Sequence, residues 1–154
     1  MEAYRIDRFG SVDGIVLRSS EDPRPGPREI LMRVRASSLN YRDLMVLKGG
    51  GRGPTRLGVV PLSDGAGEVA AVGDGVTRVK LGDRVIGTFH PRWFGGPLSA
   101  DYLTDRLGAN LDGMLARPRP WSSASTSCAR AASWSWSGSM AEPTRSRLCC
   151  SPSR

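Results

Sequence analysis

A chain of 154 residues suits one domain with a buried core and leaves room for an appendage. Its net charge of +7 invites a nucleic-acid partner, yet residues 1–116 carry 16 Lys and Arg against 14 Asp and Glu, and residues 117–154 carry six Arg against one Glu. The body thus has the scattered mixed charge of a solvated surface, not the clustered basic face with aromatics that a nucleic-acid groove uses.

The start, Met1 to Arg8, is polar and charged, with no apolar core of the kind a secretory leader needs. No stretch reaches the apolar length that spans a bilayer. The expectation is a soluble cytoplasmic protein. Ala3–Arg8 and Ile15–Arg18 read as two short strands around a turn at Gly10–Gly14. Pro23, Pro25, Gly26 and Pro27 mark the next turn. Glu29–Ser38 alternates, with Ile30, Met32, Val34 and Ala36 on one side and Arg33, Arg35 and Ser37 on the other, the pattern of a half-buried strand.

Asn40 is a good helix N-cap, and Tyr41–Lys48 makes about two helical turns. Leu44, Leu47 and Lys48 fall on neighbouring positions, with Gly49 suited to the C-terminal end. Glu68–Val72 reads as a strand stopped by Gly73-Asp74-Gly75. Leu81–Phe89 reads as another, introduced by a glycine turn. Short strands, frequent glycines and one short helix predict a mainly β fold, a small distorted barrel.

Gly65-Ala66-Gly67-Glu68-Val69-Ala70 satisfies the G-x-G-x-x-A dinucleotide pattern. That pattern requires a following helix whose N-terminus meets a pyrophosphate. Here the following residues are β-prone and end at Gly73, so the glycines are expected to permit a tight turn and close packing under a strand. The Gly49–Gly53 loop lacks the Gly-Lys-Ser/Thr of a phosphate loop.

The composition breaks at Ala116. Residues 117–154 hold all three cysteines and three of the four tryptophans, but no Val, Ile, Phe, Asp or Lys. With no periodic apolar face, such a tail is expected to remain disordered. Two origins fit it: a natural basic tail, or a shifted reading frame in a GC-rich gene. The second is favoured, because Ser, Trp and Cys codons shifted by one base readily become Val, Leu and Ala codons. A hydrophobic sequence can therefore lie hidden beneath Ser133-Trp134-Ser135-Trp136-Ser137.

Three segments, Pro25–Val34, Ser38–Leu44 and Pro61–Val69, together with Gly82-Asp83-Arg84-Val85, resemble in order and spacing the N-terminal GroES-like domain of the medium-chain dehydrogenase/reductase superfamily. Within it they are most similar to zinc-free alcohol dehydrogenases and quinone oxidoreductases. Phe89–Trp93 resembles the loop lining the substrate cleft, and Leu111–Ala116 the segment before a further strand. The resemblance implies a GroES-like β-barrel over residues 1–116, the substrate-side catalytic domain, incomplete and truncated by the frameshift hypothesised for residues 117–154. It implies that a Rossmann domain is missing.

By the same resemblance, zinc members carry a cysteine where Asn40 stands and a histidine where Ser63 stands. An amide and a hydroxyl are not usual zinc ligands, and the spacing of Cys128, Cys149 and Cys150 matches no common ligand set; no metal is expected. The resemblance implies NADP or NAD as cofactor, contacted by Asn40, Tyr41 and Arg42. It implies catalytic roles for Tyr41, Asp43 and Asp64, and substrate contacts from Ser63, Phe89 and Trp93. Plainer readings stand beside these: Asn40 as cap, Asp43 as a first-turn acid favoured by the helix dipole, Trp93 as a loop aromatic, and His90 as cleft decoration. The implied partners are a small carbonyl, alcohol or quinone, with no nucleic acid and no membrane. A non-catalytic barrel remnant is the alternative for the chain alone, and a basic nucleic-acid module a weaker third.

Sequencing the gene across the Ala116 codon is expected to reveal a displaced frame that continues a dehydrogenase sequence. An intact frame with no such sequence downstream would make the tail natural.

Overall fold

The computed structural model describes residues 1–49, 55–93, 95–116, 127–130 and 134–135. Strand β1 (Glu2–Ile6) pairs antiparallel with β2 (Ile15–Ser19), from Glu2 opposite Ser19 to Ile6 opposite Ile15. The turn between them holds a short 3-10 segment, Val12–Gly14, whose Asp13 N–H is capped by the Ser11 side chain. Ala3 and Ile6 are buried while Tyr4 is exposed, so the hairpin lays one face on the core.

The longest strand, β3 (Glu29–Ser38), follows its sequence pattern for six residues: Ile30, Met32 and Val34 are buried, and Arg35 is exposed. Ala36 departs from the expected inward direction and is exposed. The reason is local. The register with β4 (Asp64–Val72) slips between Val34 and Ala36, and an irregularity of that kind re-aims the residues beyond it.

Gly65 and Gly67 lie within β4 rather than in the expected turn, and no helix follows them. Close packing is what they provide. A Cβ on Gly67 would stand 2.0 Å from the Arg33 carbonyl oxygen, and one on Gly65 would stand 2.7 Å from the Met114 side chain.

The expected strand over Leu81–Phe89 is only β5 (Arg84–Ile86). Gly82 sits at φ 84° and Asp83 accepts the Lys80 N–H at 2.9 Å, so Leu81–Asp83 form a turn. Beyond Ile86, the Gly87 N–H reaches the Gly65 carbonyl at 3.0 Å, and a turn from His90 to Trp93 then takes the chain away.

Between β3 and β4 lies the short helix α1 (Tyr41–Leu47). Its buried side is Val46 and Leu47, while Leu44 is half exposed. Gly49 follows it at φ 73°, a conformation that suits glycine after a helix.

Two short segments of the tail add to the sheet. β6 (Ser127–Arg130) pairs with Glu29–Met32, and β7 (Trp134–Ser135) with Val85–Ile86. The sheet order is β6-β3-β4-β5-β7, and the expectation of an unstructured tail does not extend to these residues. The described fold is mainly β with one α-helix, and no helix among the described residues is long and apolar enough to cross a membrane.

The main core gathers Ile30, Met32, Val34, Val69 and Val85 around Leu107 and Met114. A second cluster joins Ile6, Val46, Leu47, Val59 and Ala109. Each fully buried side chain of this size contributes about 1.5–3 kcal/mol. Residues 113–115 run against residues 60–62, with Gly113 N–H to Val60 O at 2.7 Å, Met114 N–H to Leu62 O at 2.9 Å and Leu115 N–H to Pro61 O at 3.1 Å. At Gly113 a Cβ would lie 2.0 Å from the Leu62 oxygen.

Gly67→Ala is expected to cost about 1–3 kcal/mol, the range of an overpacked site, because its obstacle is backbone. Gly65→Ala is expected to fall in the same range, since its obstacle is Met114 Cβ and Cγ on a backbone held to residues 61 and 62. Urea denaturation of both variants measures the cost.

Candidate functional site

The turn from β3 into α1 and the start of β4 meet in one hydrogen-bonded cluster. Asn40 organises it. Its Oδ1 accepts the Arg42 N–H at 2.9 Å, and its own N–H donates to Asp43 Oδ2 at 2.8 Å, closing a reciprocal capping box. With Oδ1 thus occupied, Asn40 Nδ2 faces away from the helix. It donates to Asp64 Oδ2 at 2.6 Å and to Ser63 Oγ at 3.4 Å. One side chain therefore ends the loop, starts the helix and ties both to β4.

Ser63 is 2% exposed and follows Leu62, a buried residue held at φ 70°. Such a backbone is uncommon outside glycine and costs energy that the surroundings must offset. The hydrogen bond from Met114 N–H and the close approach of Gly108 and Gly113 to the Leu62 backbone supply that support.

Arg42 reaches across to the loop after β5. Its Nη1 donates to the Leu107 carbonyl at 3.2 Å, and its guanidinium carbon stands 4.4 Å from the Phe89 ring centroid, a cation–π contact. Burial, then the neighbouring Arg106 cation, lowers the Arg42 pKa below its ordinary value. Arg106 is itself 6% exposed, its Nε donates to Asn110 Oδ1 at 3.2 Å, and burial lowers its pKa too. Three buried polar atoms here, Arg42 Nη2, Asp43 Oδ1 and Thr88 Oγ1, have no hydrogen-bond partner among the described residues.

Phe89, His90 and Trp93 form an aromatic wall. The Phe89 and His90 rings meet edge to face at 4.3 Å, and His90 and Trp93 at 6.4 Å. Trp93 Nε1 donates to the Gly96 carbonyl at 3.2 Å. Tyr41 points largely into solvent at 77% exposure. The structure thus joins Asn40, Arg42, Asp43, Ser63, Asp64 and Phe89 through contacts, reaches Trp93 through His90, and leaves the Tyr41 side chain outside this network. Sequence reasoning passed over Arg106 and the Leu107 carbonyl; nothing local in the sequence marks either. His90 was visible as the lone histidine, but the aromatics on either side of it were the better signal.

The donor set does not fit zinc. The Asn40 amide oxygen is committed to a backbone N–H, and the Nδ2 that faces Ser63 and Asp64 offers hydrogens, not a lone pair. No group of three or more His, Cys, Asp or Glu among the described residues is arranged to hold a metal ion.

The sequence profile of the alcohol dehydrogenase GroES-like domain matches residues 26–117. A zinc-type alcohol dehydrogenase-like protein of Schizosaccharomyces pombe is 38% identical over 113 residues, which are 72% of this chain and 32% of that protein. The crystal structure of a putative alcohol dehydrogenase from Sinorhizobium meliloti 1021 matches with a TM-score of 0.64 at 37% identity, over 74% of this chain and 34% of that one. Escherichia coli quinone oxidoreductase complexed with NADPH matches with a TM-score of 0.52 at 26% identity, over 56% and 28%. The chain spans a third or less of the length of the first curated relatives it matches.

Asn40→Ala is expected to cost about 1 kcal/mol through the lost cap, read as a lower urea midpoint. Burial raises the Asp43 pKa above the ordinary 3.8, so the folded chain holds that proton more tightly than the unfolded one. Ionised Asp43 therefore costs stability at neutral pH, and the cost fades as pH falls through the raised folded value towards 3.8. Asp43→Asn keeps an acceptor for the Asn40 N–H; it is expected to hold or raise stability at pH 7 and to flatten this acid-side dependence.

Proposed function

Because the chain belongs to the alcohol dehydrogenase GroES-like domain family, we propose that it forms the substrate-side wall of a metal-free, nicotinamide-dependent oxidoreductase acting on a small carbonyl, alcohol or quinone. The observation that carries this reading is the hydrogen-bonded group Asn40–Ser63–Asp64. Asn40 and Ser63 stand where the family resemblance places metal ligands, and together with Asp64 they are donors and acceptors that satisfy one another without a metal.

NADPH or NADH, when bound, supplies or receives the hydride; the NADPH complex of the quinone oxidoreductase supports this choice of cofactor. Asn40, Tyr41 and Arg42 are the residues of this chain that would hold its reactive end. The fit rests on two features: the sealed Arg42 Nη2 is a donor without a partner, and Tyr41 stands open to a ligand.

The remaining residues orient the substrate. Ser63 Oγ and Arg42 are hydrogen-bond donors for a carbonyl oxygen, and such donors favour the transition state when held in place beforehand. Asp64 fixes the Asn40 amide, and Asp43 fixes the loop that carries it. Phe89 and Trp93 give an apolar wall for the carbon skeleton and help to exclude water. Tyr41 remains a candidate catalytic group, from the solvent side; Asp43 and Asp64, expected to be catalytic, act here as positioning residues.

Replacing the matching segment of the Schizosaccharomyces pombe relative with residues 26–117 of this chain tests the proposal. NADPH oxidation with a quinone or aldehyde is expected, unaffected by a zinc chelator. A folded chimera that binds NADPH but turns over none of these substrates, or one that stops when chelated, would refute it.

A further inference from the structure

His90 is the single histidine of the chain, and its surroundings restrict it more than a loop position suggests. Nδ1 lies 2.9 Å from the Tyr102 carbonyl oxygen. A carbonyl only accepts, so Nδ1 carries the hydrogen and donates it. In the neutral ring the lone pair must then be on Nε2. That nitrogen has no hydrogen-bond partner among the described residues.

The ring is held on its other sides by aromatic contacts, the Phe89 ring at 4.3 Å and the Trp93 ring at 6.4 Å, both edge to face. Phe89 in turn carries the Arg42 guanidinium at 4.4 Å. Tautomer, position and neighbours are all fixed, and one basic nitrogen is left over beside the Phe89–Arg42 contact that leads to Asn40.

We propose that His90 is a catalytic residue of this site, whose Nε2 accepts the hydroxyl proton when an alcohol is oxidised and returns it when a carbonyl is reduced. The inference rests on reading this cluster as one side of a hydride-transfer site. In the oxidising direction the substrate O–H bond breaks and its proton goes to Nε2. The C–H bond breaks and its hydride goes to the oxidised nicotinamide. The carbonyl forms from the remaining electron pair, and reduction runs these transfers backwards.

The charges around the ring suit a base. Burial holds its pKa below the ordinary 6.5, the Arg106 and Arg42 cations push it the same way, and the Tyr102 carbonyl opposes them. The other charged groups near this loop are Arg92 and Asp105, paired with each other, and Asp43 and Asp64, tied to Asn40. The imidazole is therefore neutral at pH 7 and able to take a proton.

The test uses the full chain labelled with ¹⁵N and cyclohexanol as probe. A single histidine gives one Nε2 resonance, so its assignment is unambiguous. Nε2 is expected to show the shift of an unprotonated nitrogen at pH 7, and to move saturably with cyclohexanol alongside the amides of Asn40, Arg42 and Phe89. His90→Phe, which keeps an aromatic ring against Phe89 and Trp93, is expected to weaken the cyclohexanol response at those amides. His90→Gln serves the same purpose if the phenylalanine variant does not fold. A protonated Nε2 at pH 7, or an Nε2 that stays still while the three amides move, would overturn the role of His90 alone. No response at any of these positions would overturn the cluster as a substrate site, and the inference with it.

Discussion

Much of this structure depends on a close approach of two backbones. Residues 113–115 bond directly to residues 60–62, and the approach is possible because position 113 carries no side chain. It buries Met114 beneath β4 and β5, where Gly65 and Gly87 make room for its side chain. It also stabilises Leu62 in a backbone conformation that a leucine does not adopt freely. Ser63, the next residue, is thereby carried within reach of Asn40. A packing constraint remote from any chemistry thus sets where the candidate site begins.

The site is held by hydrogen bonds of ordinary strength arranged in a closed circuit. Asn40, Asp43, Arg42, Ser63 and Asp64 come from three consecutive parts of the chain, and every link passes through the Asn40 side chain or main chain. Arg42 then extends the circuit to the loop after β5 through an aromatic face and a carbonyl. Two guanidinium groups withdrawn from water in one neighbourhood are costly. Their interactions with Phe89, Leu107 and Asn110 reduce that cost, and the unpartnered Arg42 Nη2 shows that it is not fully met.

The sequence was most legible where a local rule decides the outcome. Glu29–Ser38 is a strand with the predicted bounds because alternation is dense there, and Asn40 caps α1 because its side chain satisfies an N–H that the helix cannot. It was least legible where distant segments decide. Ala36 turns outward at an irregularity set by β4. The glycines of Gly65-Ala66-Gly67 serve a strand pressed against Met114 and Arg33, contacts that no window around residue 65 contains. Within the site, Asn40, Ser63 and Asp64 were found through motif resemblance, whereas Arg106 enters through a loop fold with no local signature. The composition of the tail likewise gave no sign that Glu29–Met32 and Val85–Ile86 would find pairing partners there.

Asn40 uses both ends of one amide, the oxygen on the helix and the nitrogen on β4. A cysteine at that position would forfeit both attachments at once, releasing Asp64 as well as the first turn of α1. An evolutionary path between this arrangement and a zinc-binding one therefore cannot consist of exchanging ligands alone. It must also rebuild the helix start and find new restraint for the acid, so intermediates along it would be neither well folded nor able to grip the ion.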